Sequence, residues 1–401
     1  MTADGLPLPS TPASHAPLVF KIGQGPRLPQ PDEPGADKIA IRTMTRALAG
    51  MQKEAIVNDA FCGTAWRMLS DEGPWLNGTD LSSFPLGFFS AGMIATLATE
   101  IQALARWRRI QLSDIRLVQQ ARYSMEGSAL KRTMVAAALP LETAVTVAGD
   151  ASRAELETLV CHALAASPAD AVMRSSLPGR FGFTLNEPAV AAAAGSDPTM
   201  QRLQDPARLF DQIMPDTQSA SAQNMIRKIA DTELADYTGP GRSVGLAAEQ
   251  KRQVEVQAIL TLREDGLKVI QVKCVQPSGS VFEFLCDDPA VFGGQERAPT
   301  GLQYLSAGVA FCFMTQLGRF AQIVKHDLAA YGVVQDTLFG LPGGSAQLDS
   351  VATAFPVATH AFIRSNDDIE ANRVLMGMAE QTCYLHACYR GVNKTRLRVT
   401  Q

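Results

Sequence analysis

The run Gly301-Leu302-Gln303-Tyr304-Leu305-Ser306-Ala307-Gly308-Val309-Ala310-Phe311-Cys312-Phe313-Met314-Thr315-Gln316-Leu317 is the stretch from which the rest of the chain can be read. It carries no charge from Leu302 to Leu317, sets small residues beside bulky apolar ones, and holds a single thiol. A membrane-spanning helix needs about 20 predominantly apolar residues. This run is shorter, starts at a Pro299-Thr300-Gly301 turn, and contains Gln303, Ser306, Thr315 and Gln316. It therefore reads as a helix at the centre of a protein core.

A second apolar run, Leu86 to Ala98, shares the Ser-Ala-Gly core: Ser90-Ala91-Gly92 lies 216 residues before Ser306-Ala307-Gly308. The same offset carries Gly50 onto Gly266, Gly78 onto Gly294, Val118-Gln119 onto Val334-Gln335, Thr143 onto Thr359, Leu159 onto Leu375 and Arg174 onto Arg390. Turn glycines keep this register, and those are positions where backbone geometry restricts the choice of residue. The reading is two copies of one unit, 38–186 and 254–401. A disordered tail over 1–37 precedes them, and a partly helical linker over 187–253 joins them, with a helix expected from Gln223 to Ala235. Each copy runs hairpin, glycine-rich loop, buried helix, strands, helix, strand. That order gives an α+β fold with antiparallel sheets around a central apolar helix. Pro85 opens the first buried helix, and Ser152 with Glu155 forms a capping box for the next.

The chain has 401 residues, 46% hydrophobic and 19% charged, with a formal net charge of −4. This is ordinary globular composition. It shows no cluster of Lys or Arg to act as a nucleic-acid footprint, and no membrane association is expected. The seven cysteines are unevenly spaced and do not resemble a secreted disulfide framework. The Pro-, Ala-, Gly- and Ser-rich start lacks a basic segment followed by an apolar one, so a cytoplasmic location is expected. Cys383, His386 and Cys388 have no second ligand pair to make a zinc site. Gly239, Gly241 and Gly245 lack the lysine of a phosphate loop. No metal or cofactor is expected.

The repeat allows the copies to be compared with each other. Cys312 falls on Thr96 and Cys383 on Ser167, so the second copy alone carries both thiols. Read from the residues, the two are either inert buried side chains or a facing pair on two packed helices.

The pattern Phe292-Gly293-Gly294-Gln295-Glu296-Arg297-Ala298-Pro299 ahead of the Cys312 helix resembles the OsmC and organic hydroperoxide resistance family. So do Ala379-Glu380-Gln381-Thr382-Cys383-Tyr384-Leu385-His386-Ala387 and the first-copy loop Leu76-Asn77-Gly78-Thr79-Asp80 with Pro85. The resemblance implies an intertwined two-unit protein, here a homodimer fused into one chain with one cysteine pair kept. It implies thiol peroxidation of an organic hydroperoxide at Cys312, resolution by Cys383, and a dithiol reductant. It also implies an arginine from a first hairpin, for which Arg46 (with Arg42 beside it) and Arg263 are the candidates. The family glutamate is absent: its position holds Leu302, with Gln303 adjacent as a substrate contact. That departure leaves open a cysteine-nucleophile hydrolase with His386 as base. It also leaves open a non-catalytic binder of small apolar or aromatic ligands, lined by Phe88, Phe89, Tyr304, Phe311 and Phe313. Further homo-oligomerisation is compatible with either.

Overall fold

The computed structural model describes residues 17–31, 38–186, 203–216, 224–231, 250–340 and 350–400. In chain order the first half gives β1 (Val19–Gln24), β2 (Lys38–Ala47), β3 (Lys53–Asp59), β4 (Thr64–Ser70), α1 (Pro85–Arg108), β5 (Leu112–Gly127), β6 (Val135–Ala138) and β7 (Glu142–Gly149). It continues with α2 (Arg153–Ala166), α3 (Pro168–Arg174) and β8 (Arg180–Leu185). Between the halves lie a 3-10 turn (Pro206–Asp211), β9 (Met214–Pro215) and β10 (Ile226–Ala230). The second half gives β11 (Gln250–Leu262), β12 (Lys268–Gln276), β13 (Val281–Cys286), α4 (Gly301–Val324), β14 (Leu328–Gly340), β15 (Thr353–Ala354) and β16 (Ala358–Ser365). It ends with α5 (Ile369–Thr382), α6 (Tyr384–Arg390) and β17 (Arg396–Thr400).

The result is a mixed α+β fold with two sheets. The helices keep the repeat's register: α1 and α4, α2 and α5, and α3 and α6 are equal in length and 216 residues apart. The two hairpin turns hold Gly50 and Gly266 at φ of 65° and 87°, where a side chain is disfavoured.

Neither half closes a sheet alone. The first sheet runs β8-β16-β14-β2-β3-β4-β1-β9, with β15 on β14, and the second runs β10-β13-β12-β11-β5-β7-β17, with β6 on β5. The β14–β2 and β11–β5 seams, both antiparallel, each join one half to the other. The last strand of each half crosses over and pairs in parallel, β8 on β16 and β17 on β7.

Between the sheets, α1 lies along the second sheet and α4 along the first, and the two helices pack on each other. Both are long and apolar enough to cross a membrane, but most of each is buried inside the protein. Helices apolar on every face need this enclosure. Small residues set the spacing. A Cβ on Gly92 would sit 2.5 Å from the Gly301 carbonyl oxygen and 2.6 Å from the Leu305 nitrogen. One on Gly308 would sit 2.7 Å from the Phe89 nitrogen.

Two expectations are corrected. Residues 19–24 are not part of a disordered tail: they form β1, antiparallel to β4, with Val19 fully buried. Residues 226–230 are strand rather than helix, because Ile226 enters the core beside Phe284 of β13 and the sheet edge outweighs local propensity. Residues 1–16 and 32–37 of that tail, and Gln223 and 232–235 of the expected helix, lie outside the described residues.

Gly308→Ala should lower stability by about 2 kcal/mol or more, as overpacking of a tight core does. Urea unfolding followed by circular dichroism and by tryptophan fluorescence should show one coincident transition for both proteins, because the sheets cannot separate by halves.

Candidate active site

Cys312 sits in the fourth turn of α4, 2% exposed. Cys383 occupies the break between α5 and α6, closing one helix and opening the next with extended φ and ψ of −77° and 116°. That break turns its thiol onto α4, where the Cys312 and Cys383 thiols are hydrogen-bonding neighbours and the Leu385 N–H reaches Cys312. Cys388 and Tyr123 complete the cluster, with Tyr123 within electrostatic range of all three thiols. The Tyr123 and Tyr384 rings pack at 5.5 Å.

His386 joins this group. Its Nδ1 lies 3.2 Å from Cys383 Sγ, its Nε2 lies 3.5 Å from Thr359 Oγ1, and its ring packs between Phe181 and Phe313. Burial pushes the imidazole down to about 3, so it is neutral at physiological pH. Of the two thiols, the one it contacts is Cys383.

The expected arginine and glutamine contacts are not at the thiols. Along β2 successive side chains alternate between faces. Thr45 points inward, its Oγ1 2.7 Å from Met314 Sδ, so Arg46 points outward. There its guanidinium binds Glu54 at 2.7 Å and Asp211 at 2.9 Å and lies over the Phe210 ring. Arg42, on the same outer face, forms a two-point pair with Asp336 at 2.8 and 2.6 Å. Arg263 pairs with Asp265 in its own hairpin turn. Gln303 is a capping residue: its Oε1 accepts from the Thr300 N–H at 2.9 Å and its Nε2 donates to Thr64 Oγ1 at 3.1 Å.

Other charged groups approach instead. Glu72, from the glycine-rich loop of the first half, accepts from Thr315 Oγ1 at 2.5 Å and from Lys53 Nζ at 3.4 Å. Its charge reaches both Cys312 and Arg319, two turns beyond Cys312 on α4. Burial, and then Arg252 of β11, lower the Arg319 guanidinium to about 10. So a carboxylate does lie within electrostatic range of the thiol, although position 302 lacks one. The sequence signal was available in the repeat: Asp71-Glu72 falls on Asp287-Asp288. In both loops the first acid collects the loop's N–H groups, Asp71 from Glu72, Thr79 and Leu81, and Asp287 from Asp288, Gln295 and Arg297. Gly78 and Gly294 are required because a Cβ there would strike the carbonyl of residue 72 or 288 at 1.8 or 1.9 Å.

The same arrangement without thiols lies on the other side of the α1–α4 pair. Thr96 replaces Cys312 and donates back to Gly92 O at 2.8 Å, and Ser167 replaces Cys383 and caps α3. Thr99 Oγ1 donates to Asp288 at 2.6 Å, matching Thr315 on Glu72, and Lys268 pairs with Asp288.

In the reduced form, burial and then the Cys383 thiol push the Cys312 thiol well above its ordinary value, and Glu72 adds to this. Cys312 is therefore held as a neutral thiol at neutral pH and not as a resting thiolate. No group of His, Cys, Asp and Glu that could hold a metal occurs among the described residues.

No family model and no curated protein matches the chain. Among solved structures, the crystal structure of an OsmC-like hydroperoxide resistance protein from Jannaschia sp. CCS1 is 21% identical, over 35% of this chain and 88% of that one, with a TM-score of 0.22. A likeness at that score carries no weight about function.

His360 is also buried and lowered, to about 4. The unfolded chain takes up protons at these histidines below about 6.5 while the folded chain does not. Their contribution to stability is therefore lost as pH falls, by about 1.4 kcal/mol per pH unit for each histidine. In urea titrations from pH 7 to 4, His386→Gln should lose stability less steeply than the parent protein by that amount.

Proposed function

We propose that the chain is a fused, intertwined OsmC-like pseudo-dimer with one working dithiol. In this reading Cys312 reduces an organic hydroperoxide and Cys383 resolves the product. One observation carries it: the Cys312 and Cys383 thiols are hydrogen-bonding neighbours between α4 and the α5–α6 break, while the matching positions of the first half hold hydroxyls committed to their own helices. Two thiols brought together by separate elements suit disulfide exchange better than packing alone.

In the first step Cys312 sulfur attacks the distal peroxide oxygen and the O–O bond breaks. The product alcohol takes the thiol proton, leaving Cys312 as a sulfenic acid. In the second, Cys383 sulfur attacks the sulfenic sulfur, a disulfide forms and water leaves. A dithiol reductant restores both thiols by exchange. Cys312 belongs to the main hydrophobic core, and those apolar surroundings favour an alkyl or aromatic peroxide over a charged one. The raised thiol predicts a slow reaction at neutral pH, since the thiolate is the nucleophile.

With cumene hydroperoxide, the full-length protein should oxidise at a rate that rises steadily from pH 7 to pH 10 without a plateau. The peptide map of the product should contain a Cys312–Cys383 disulfide. Cys383→Ser should stop at a Cys312 sulfenic acid that dimedone traps, and Cys312→Ser should not react. An oxidised protein lacking that disulfide would remove the redox reading.

The 3.2 Å contact of His386 with Cys383 supports one other reading, a hydrolase whose nucleophile is Cys383 with neutral His386 as base. An acetyl burst from p-nitrophenyl acetate that survives Cys312→Ser but not Cys383→Ser would favour it.

A further inference from the structure

A row of buried polar groups connects the Cys383 thiol to the backbone of α4. His386 Nδ1 lies 3.2 Å from Cys383 Sγ, and His386 Nε2 lies 3.5 Å from Thr359 Oγ1. Thr359 Oγ1 lies 3.3 Å from Gln335 Oε1, and Gln335 Nε2 lies 3.5 Å from the Ser306 carbonyl oxygen. Thr359 and Gln335 stand opposite each other on β16 and β14, and both are fully buried. They repeat Thr143 and Gln119 of the first half, where Ser167 and Asp170 stand for Cys383 and His386. There the amide is turned the other way: Gln119 Nε2 donates to Thr143 Oγ1 at 3.2 Å, and its Oε1 has no partner among the described residues. The glutamine presents its oxygen to the threonine only in the half that has the histidine.

The direction of each bond follows from its far end. A backbone carbonyl can only accept, so Gln335 turns its NH2 to Ser306 and its Oε1 to Thr359. The Thr359 hydroxyl gives its one proton to that oxygen. What it offers His386 is a lone pair, so Nε2 carries the imidazole proton. A contact of 3.5 Å is long for a hydrogen bond, but the other ring nitrogen has no oxygen acceptor among the described residues. Its partner is a sulfur, which accepts weakly. With one proton on the ring, Nδ1 is a lone pair aimed at the Cys383 thiol. The Phe181 and Phe313 rings, with centroids 5.1 and 5.4 Å from that of the imidazole, enclose it, and this burial keeps it neutral.

We infer that His386 Nδ1 is the acceptor of the Cys383 proton, and that Thr359 and Gln335 are positioning residues that hold the ring in the one tautomer able to accept it. The step rests on the reading of Cys383 as the resolving thiol. As Cys383 sulfur attacks the sulfenic sulfur of Cys312, the S–S bond forms, the S–O bond breaks and the Cys383 proton moves to Nδ1. The departing hydroxyl takes that proton from Nδ1 and leaves as water, so the imidazole ends as it began. Burial disfavours the imidazolium, which therefore holds the proton only during the exchange. The opposite tautomer would point an N–H at the Cys383 sulfur and leave no group there to take its proton.

Full-length protein labelled with 15N-histidine reports the tautomer in long-range 1H–15N spectra, with His386→Gln assigning the signals. The reduced parent protein at pH 7 should show His386 with a protonated Nε2 and an unprotonated Nδ1. Thr359→Val and Gln335→Leu should each move the ring toward the Nδ1–H form, and Thr359→Ser should not. Gln335→Leu is the sharper case, because a Thr359 hydroxyl released from the amide donates to Nε2 instead. With cumene hydroperoxide, Thr359→Val should hold Cys312 as its dimedone-trappable sulfenic acid about tenfold longer or more before the disulfide closes, and Thr359→Ser should restore closure. An Nδ1–H tautomer in the parent protein overturns the assignment without any variant, so poor folding of a variant does not protect it. Closure in Thr359→Val as fast as in a parent that forms the disulfide overturns it and leaves the redox reading standing. A parent that forms no Cys312–Cys383 disulfide overturns the redox reading, and this step with it.

Discussion

Everything in this protein depends on how closely α1 and α4 approach at Gly92 and Gly308. Each glycine faces the other helix's backbone within about the distance that a methyl group would need. The contact sets the spacing of the two sheets along their middle, since α1 lies on one sheet and α4 on the other. It also places the third and fourth turns of each helix beside the opposite half's glycine-rich loop. That is why Glu72 reaches Thr315 and Asp288 reaches Thr99. The position of each site's carboxylate is therefore a consequence of helix packing and not of the site's own chemistry.

Much of this was readable in the residues, because backbone constraints leave sequence marks. The turn glycines, the loop glycines at 78 and 294, and the matched helix starts at Pro85 and Gly301 are positions with few permitted substitutes. An internal repeat shows them twice. The thiol pair was legible for the same reason, as a difference between copies that otherwise agree. Strand exchange was not legible from the residues alone. The alternation of β2 or β14 says that each is a strand with two faces, but not which neighbour it takes. Arg46 shows the result: its place on a hairpin was anticipated, but its side was set by the pairing and by Thr45, which took the inward face.

Charge location was harder to read than backbone shape. A surface arginine and a buried one look alike in sequence. Arg319 sits in a helix whose preceding residues are almost all apolar, yet it shares Glu72 with the Cys312 site, while three better-motivated candidates are neutralised locally by Glu54, Asp336 and Asp265. Each of those has a carboxylate within hydrogen-bonding reach. An arginine with such a partner gains little by travelling to a distant thiol and would leave a buried acid unpaired if it did.

The two halves then differ by how each treats a buried proton. On the α4 side a neutral imidazole and a tyrosine stand by Cys312, whose proton stays on sulfur until something withdraws it. On the α1 side the matching positions are threonine, serine and proline, and a glutamate, Glu100, sits in surroundings whose burial favours its uncharged form. A duplicated site that had merely decayed would relax toward the cheapest filling, and burying a carboxyl without a hydrogen bond is among the costliest. Gln316 shows that an amide is accommodated at the matching position. With an acid on one side and an amide on the other, the two halves meet the same helix packing with different buried charge.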